Sequence, residues 1–464
     1  MQTRPIYSPY DHRVVGECPV TTSDDAERAI TQAADAFEQT RRLAAYDRYT
    51  ILRRIGDEIG TRRDEFARGI SEESGKTIRD ARAEVERALL VFSLAADEAR
   101  HIGGEVLPLD LNAVSKGRLG LTRRFPRGPV AAITPFNFAL NLVAHKVAPA
   151  LAAGCPVVLK PAEKTPLTSL RLAEAVHASG WPTSGFSVLT PEDPRSTGHL
   201  LATDKRLPVL SFTGSDRVGW ELKAKANRKH VTLELGGNAA VVVEPDADID
   251  FVVSRCVPGA FANAGQVCIS VQRIFVQRAV FETFCARFVD AARRLRVGDP
   301  QNETTDVGPM ISHEACDKAE SWIADAVKVG AKVLLRGERH LGTSLLAPTV
   351  LTGTTEQMTI RSEEAFAPVV CIEPYDAFDD GLAFADAGRF GLQTGVFTRD
   401  INNVFRAWER LHVGAVIAND VPQYRVDNMP YGGERDSGFG REGVRYAIEE
   451  YTELRLLALN LTGA

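Results

Sequence analysis

The chain has 464 residues, 44% of them hydrophobic and 25% charged. That is an ordinary globular composition, too long for one hydrophobic core and with no sign of disorder or low complexity. The formal net charge of −6 excludes a general phosphate-backbone binder as a first reading, and no window offers the roughly 18 apolar residues of a membrane span.

The N-terminus MQTRPIYSPYDHR lacks the apolar core of a signal peptide, so a cytoplasmic protein with neither nucleic-acid nor membrane partner is expected. From about residue 24 to 105, apolar residues recur at three and four spacings, as in AERAITQAADAFEQTRRL, and predict helices. The basic run KGRLGLTRRFPR, from Lys116 to Arg127, reads as a solvated strand pair at a subunit surface. Next, GPVAAITPF (128–136), CPVVLKP (155–161), FSVLT (186–190), PVLSFTG (208–214) and AAVVVEP (239–245) are apolar runs fit for buried strands. Helical segments separate most of them, which predicts an α/β fold with a parallel, two-sided sheet. In KPAEKTPLTSLRLAEAVHASG, Thr165 is placed to cap a helix, Pro166 to sit in its first turn and Gly180 to stop it. The strand ending at Leu159 then delivers Lys160 and Glu163 to the carboxyl edge of the sheet, where open α/β sheets bind ligands. Beyond residue 247 a second α/β pattern begins, with AVFETFCARFVDAARRL as a helix and KVLLRG, VVCIEP, TGVFTR and GAVIAN as strands. The final EYTELRLLALNL reads as a strand leaving the body, suited to pairing with another subunit.

Seven cysteines, Cys18, Cys155, Cys256, Cys268, Cys285, Cys316 and Cys371, are widely spaced and never form a CxxC pair. Neither a disulfide framework nor a metal centre is expected. SGFGREG has the glycine spacing of a dinucleotide fingerprint, but no strand closely precedes it and no acidic residue follows at the right distance. SFTGSDRVGWELKAKA is the better phosphate loop: small residues at Gly214 and Ser215 lead into a helix whose N–H groups and dipole favour an anion. In VTLELGGNAA, Glu234 enters an apolar setting with no obvious local cation, which would raise its pKa toward that of a general base. The alternative is a strand-end carboxylate bonded to nearby N–H groups. Cys268, in FANAGQVCIS, is either a nucleophile or one more buried thiol. Asn137, in ITPFNFALN, either donates to a developing oxyanion or caps a helix beginning near Ala139.

Taken together and in order, ITPFN, KPAEKTP, FTGS with Gly219, ELGGN, GQVC, EEAFAPV and YGGERDSGFGREG resemble the aldehyde dehydrogenase superfamily over nearly the whole chain. The resemblance implies a Rossmann-like cofactor domain (1–105 and 127–235), an α/β catalytic domain (236–444) and a small β oligomerisation extension (106–126 and 445–464) in a homodimer or homotetramer. It implies that Cys268 attacks an aldehyde, that Asn137 and the Cys268 N–H hold the oxyanion, and that Glu234 activates the water that hydrolyses a thioester to the acid. Lys146 and Glu442 match positions associated with carrying that proton outward. Ile133, Thr134, Pro135, Phe136, Asn137, Lys160, Ala162, Glu163, Phe212, Gly214, Ser215, Leu235, Glu364 and Phe366 match cofactor contacts. Glu163, facing the adenosine ribose, would disfavour a 2′-phosphate, so NAD is expected over NADP, with Lys160 partly offsetting the repulsion.

YRVDNMPYGG resembles the branch acting on small oxygenated or anionic aldehydes, including lactaldehyde and phosphonoacetaldehyde. Arg425 aligns with a tunnel position from which a guanidinium could fork onto a carboxylate, sulfonate or phosphonate; a surface or loop-bracing arginine is the alternative. Phe138 should narrow the tunnel. The rival readings are a CoA-acylating dehydrogenase, against which Glu234 argues, a cysteine hydrolase, for which no histidine stands in a nucleophile motif, and a non-catalytic NAD-binding or structural protein.

Overall fold

The computed structural model describes residues 2–340 and 342–462. Residues 1, 341, 463 and 464, which belong to the expected cofactor, catalytic and oligomerisation segments, lie outside the described residues. Among the described residues, two large sheets and one small one organise the chain.

The first large sheet runs in the order Gly438–Phe439, His230–Glu234, Val209–Thr213, Val130–Ile133, Val157–Lys160 and Phe186–Val188. All pairs are parallel except the Gly438–Phe439 edge. Val130–Ile133 comes first of the parallel strands in the chain yet sits between Val157–Lys160 and Val209–Thr213. The order therefore reverses at its side, and the carboxyl ends of Val130–Ile133 and Val209–Thr213 frame the crevice where such sheets bind ligands. Every residue of those two strands is buried, as a sheet covered on both faces requires. One covering layer contains Ala45–Thr61, Ile78–Ala99, Asn141–Ala153 and Val444–Tyr451; the other contains Ser23–Thr40, Pro194–Thr203 and Asp216–Lys225. Asn141–Ala153 is buried on all sides, including its two charged or titratable residues His145 and Lys146.

The second sheet runs Lys332–Leu335, Thr349–Thr352, Val369–Tyr375, Arg273–Gln277, Ala240–Val243, Gln393–Phe397 and Ala415–Ala418, parallel apart from the antiparallel first pair. The small sheet pairs Thr452–Asn460 and Val106–Pro108 with Arg118–Pro126. No helix among the described residues is long and apolar enough to cross a membrane.

Several expectations are corrected. AAVVVEP does not belong with the first group of strands: Ala240–Val243 sits inside the second sheet. Conversely, Gly438–Phe439, from the expected catalytic segment, completes the edge of the first sheet. Not all of 445–464 is strand. Val444–Tyr451 is a helix whose Val444, Ala447, Ile448 and Tyr451 enter the first core, an apolar spacing of three and four that the strand reading overlooked. A hairpin of Thr3–Tyr7 and Val14–Pro19 precedes the first helix and had no sequence signal. Thr165 does not cap the helix Leu167–Ala178. Its hydroxyl has no partner among the described residues, and Glu73 accepts from the Leu167 and Thr168 N–H groups at 2.8 and 3.0 Å. Likewise, the helix after Asn137 begins at Asn141, and Glu84 accepts from Leu140 and Asn141 at 2.8 and 3.1 Å. Buried helix ends need partners, and a long carboxylate from a neighbouring helix supplies them where the local residues do not.

Candidate active site

The loop before Cys268 is bent by consecutive left-handed residues, Asn263 (φ 51°), Ala264 (φ 54°) and Gly265 (φ 71°). A side chain at Gly265 would place its Cβ 2.1 Å from the Ala367 carbonyl oxygen, and one at Gly237 would come within 2.4 Å of the Cys268 carbonyl oxygen. Gln266 braces the bend: its Nε2 donates to Asn263 O at 3.0 Å and its Oε1 accepts from Ile311 N at 2.8 Å. Strain of this kind, of order 1 to 3 kcal/mol per non-glycine residue, persists only where surroundings over-determine it. The result is to set Cys268 in the wall of a cavity of about 210 Å³. The other six cysteines are fully buried, whereas Cys268 is partly exposed. Larger concavities, such as the 600 Å³ one beside His101 and Arg124, hold none of the expected catalytic groups.

Asn137 reaches the same loop, its Nδ2 donating to Gln266 O at 3.0 Å. It is therefore not the cap of the following helix. One of its two amide hydrogens is engaged there, and its Oδ1 has no partner among the described residues. Burial pushes the Cys268 thiol up to about 11, opposed by a hydrogen bond with Tyr431 at 3.1 Å and by the charge of Arg425.

Glu234 ends its strand buried, with neither carboxylate oxygen partnered among the described residues. Burial first and the neighbouring Glu442 second hold its pKa well above the ordinary value, against the pull of Arg425, Lys146 and Arg441. The expectation of no local cation is thus corrected: three cations surround it, all from segments distant in sequence. Lys146 and Glu442 form a buried pair at 2.7 Å, and Lys146 also donates to Ser211 Oγ at 3.0 Å. Burial works to raise Glu442, but Lys146 and Arg425 hold it below the usual range.

Arg425 is not a surface residue. Its side chain is 7% exposed, lies 3.6 Å over the Tyr431 ring and approaches Glu442 at 3.6 Å. Its Nε and Nη2 have no hydrogen-bond partner among the described residues, and it lines the cavity with Cys268 and Phe138. Residues that the sequence reading missed share that wall, among them Lys76, Asp80, Glu84, Arg87 and Tyr431. Lys76 pairs with Glu84 and lies 3.7 Å over the Phe138 ring. Arg87 and His145 both bind Asp427, at 2.6 and 2.8 Å. The only local hint was an odd lysine following Gly75 at a helix start.

At the switch-point crevice, Thr134 and Thr213 carry buried hydroxyls unpartnered among the described residues. Gly214 and Ser215 lead into Asp216–Lys225, whose N-cap Ser215 makes no side-chain capping bond, so that end keeps free N–H groups. Phe212 and Leu235 are buried beneath this turn: a Cβ at Gly214 would meet the Phe212 ring at 2.6 Å, and one at Gly219 would meet Leu235 at 2.3 Å. Phe136 and Phe366 meet edge to face at 5.9 Å. Lys160 pairs with Glu163 at 3.0 Å, and although burial opposes it, this pairing holds Glu163 below its ordinary pKa. Glu364 accepts from Gly237 N at 3.0 Å, and burial raises it to about 7. Uncapped N–H groups, free hydroxyls and glycines at this crevice fit a dinucleotide.

A two-sheet α/β body with a nucleotide crevice at one strand reversal and a thiol beside it defines an oxidoreductase class, and the comparisons specify which. The Aldehyde dehydrogenase family model matches residues 1–457. The chain is 42% identical over 456 residues to 3-sulfolactaldehyde dehydrogenase of Priestia aryabhattai, covering 98% of this chain and 94% of that one. It is similar to the structure of aldehyde dehydrogenase 21 (ALDH21) from Physcomitrella patens in complex with the reaction product succinate (TM-score 0.97, 40% identity, 100% and 96% coverage). A further likeness is to the glyceraldehyde-3-phosphate dehydrogenase GapN from Methanocaldococcus jannaschii complexed with NADP (TM-score 0.94, 37% identity, 98% of both chains). The chain belongs to the aldehyde dehydrogenase family. It is an NAD(P)-dependent oxidoreductase that converts aldehydes to acids.

Proposed function

We propose that this enzyme oxidises a short aldehyde carrying an anionic group, with Cys268 as nucleophile, Glu234 as hydrolytic base, Arg425 as the anion's partner and NAD as the preferred cofactor. The observation that carries the reading is one small cavity lined by both Cys268 and Arg425. A guanidinium in the wall of a cavity that also holds the thiol favours a forked contact to a carboxylate, sulfonate or phosphonate. The similarity to a 3-sulfolactaldehyde dehydrogenase supports an anionic head group.

After the Cys268 thiol has lost its proton to water, attack by its sulfur forms the carbon–sulfur bond and leaves an alkoxide, which the Cys268 N–H and the second amide hydrogen of Asn137 would hold; the alkoxide re-forms the carbonyl as its hydrogen departs as hydride, leaving a thioester on Cys268. When bound at the switch-point crevice, the dinucleotide supplies the hydride acceptor. Ile133 to Phe136, Lys160, Ala162, Glu163, Gly214, Ser215, Glu364 and Phe366 would hold it, with Phe212 and Leu235 supporting the turn from below. Glu234 then takes a proton from water as it attacks the thioester; the carbon–sulfur bond breaks, the acid leaves, and the Glu442–Lys146 pair offers a route for the proton. Ionised Glu163 disfavours a 2′-phosphate. The first sheet would be the cofactor domain, the second the catalytic one, and the small sheet with exposed Leu454, Leu456 and Leu457 an oligomer contact of a cytoplasmic enzyme.

NAD reduction across short aldehydes with and without an anionic group tests this. Cys268→Ala should abolish turnover of all of them, while Arg425→Ala should lower kcat/KM for anionic substrates by about 10- to 100-fold more than for neutral ones, which lose only the part owed to its charge beside Cys268 and Glu234. Equal losses on both kinds would remove Arg425 from the reading.

A further inference from the structure

Tyr431 sits where neither the nucleophile nor the anion partner accounts for its hydroxyl. Its backbone is bridged to Glu442, Tyr431 N donating to Glu442 O at 3.0 Å and Glu442 N to Tyr431 O at 2.6 Å. Its ring is 2% exposed, packed with Val267, Ile269, Leu392 and Phe138 and covered by the Arg425 guanidinium at 3.6 Å. A phenylalanine would serve that packing equally well. The hydroxyl instead meets the Cys268 sulfur at 3.1 Å, its hydrogen-bond partner among the described residues.

We propose that the Tyr431 hydroxyl is a catalytic hydrogen-bond donor to the Cys268 sulfur, stabilising the thiolate before it attacks the aldehyde and again when it leaves the thioester. This rests on the reading of Cys268 as nucleophile. Between a neutral thiol and a phenol either group can donate, but once sulfur is ionised only the phenol can. Burial keeps the phenol protonated by raising it well above its ordinary value, so the donor persists across the working pH range. The cation over the ring draws electron density from the oxygen and strengthens the donor. During attack the sulfur lone pair becomes the carbon–sulfur bond and the hydrogen bond weakens. When the water adduct collapses, that electron pair returns to sulfur, which accepts from Tyr431 again. No proton leaves the tyrosine. Arg425, Glu234 and Glu364 also act on the thiol, and Lys76, Asp80, Glu84 and Arg87 face the same cavity; all are unchanged by removal of one oxygen.

The test is the pH dependence of iodoacetamide alkylation at Cys268, followed by peptide mass spectrometry, in the full-length wild type, Tyr431→Phe and Cys268→Ala. Tyr431→Phe should move the midpoint up by about one pH unit, which is about tenfold slower labelling below the midpoint, with thermal unfolding and the ring packing retained. Superimposable profiles in wild type and Tyr431→Phe, with Cys268→Ala inactive, would overturn the tyrosine proposal and leave the nucleophile standing. An active Cys268→Ala would overturn both.

Discussion

The helix ends over the first sheet and the groups gathered around Cys268 both bury charge, but they use it differently. In the helical layer, Glu73 caps Leu167–Ala178, while Glu84 caps Asn141–Ala153 with one oxygen and pairs with Lys76 through the other. These carboxylates have two or more donors apiece. Around Cys268, Glu234 has none among the described residues, and Arg425 makes no hydrogen bond through Nε or Nη2, the latter facing Glu442 at 3.6 Å. A buried carboxylate without donors costs stability, whereas one that accepts from two N–H groups at a helix end supports it. The difference separates charges that close helix ends from charges left without hydrogen bonds among the described residues, and it does so without reference to any motif.

Removing Glu234 should break that comparison on its functional side. Glu234→Gln should lower steady-state turnover by about 10²- to 10⁴-fold while preserving a first-turnover burst of reduced cofactor, measurable by stopped flow. Because its pKa is raised and only the ionised form accepts a proton, wild-type turnover should climb with pH through a limb above the ordinary carboxylate range. The glutamine variant should lack that limb. Its denaturant midpoint should match or exceed that of wild type, since an unpartnered buried charge has been replaced.

Removing Glu84 should do the reverse. Glu84→Ala leaves Lys76 buried and two helix N–H groups orphaned, and unfolding free energy should fall by about 3 to 5 kcal/mol in chemical denaturation. Equal stability of the two variants would erase the distinction. The smallest effect is expected at Glu163, a half-exposed carboxylate already paired with Lys160. Glu163→Ala should raise the relative use of NADP over NAD by about fivefold, and an unchanged ratio of kcat/KM values would exclude it as the ribose discriminator.

Most strands of both sheets could be read locally because they are short, apolar and bounded by turns, though Arg273–Gln277, Thr349–Thr352 and Gly438–Phe439 were not; Cys268, Glu234 and Asn137 stood out as candidates because each lies in a motif at a strand or loop end. What could not be read depends on long-range meetings. Glu73 and Glu84 reach helix ends 94 and 56 residues away, so the local cap expected at Thr165 was wrong for a tertiary reason. Lys76 joins the cavity wall from a helical stretch whose periodicity shows only its core face. Arg425 could be suspected in the tunnel, but its stacking on Tyr431 and its approach to Glu442 belong to the folded chain. The helix Val444–Tyr451 is a different kind of miss, since its spacing was present and simply read with the wrong period.

The antiparallel pairing of Gly438 with Glu234 has a consequence for the order in which the protein is made. During synthesis the amino-terminal part emerges first and begins to fold, but the sheet it builds has an open edge at His230–Glu234 until residues 438 and 439 leave the ribosome. The strand that ends in Glu234 is therefore the one left bare longest, an exposed edge of the kind that templates mispairing. Nascent chains stalled before residue 438 should depend on chaperones more than chains stalled after it, with that edge covered only once residues 438 and 439 have emerged.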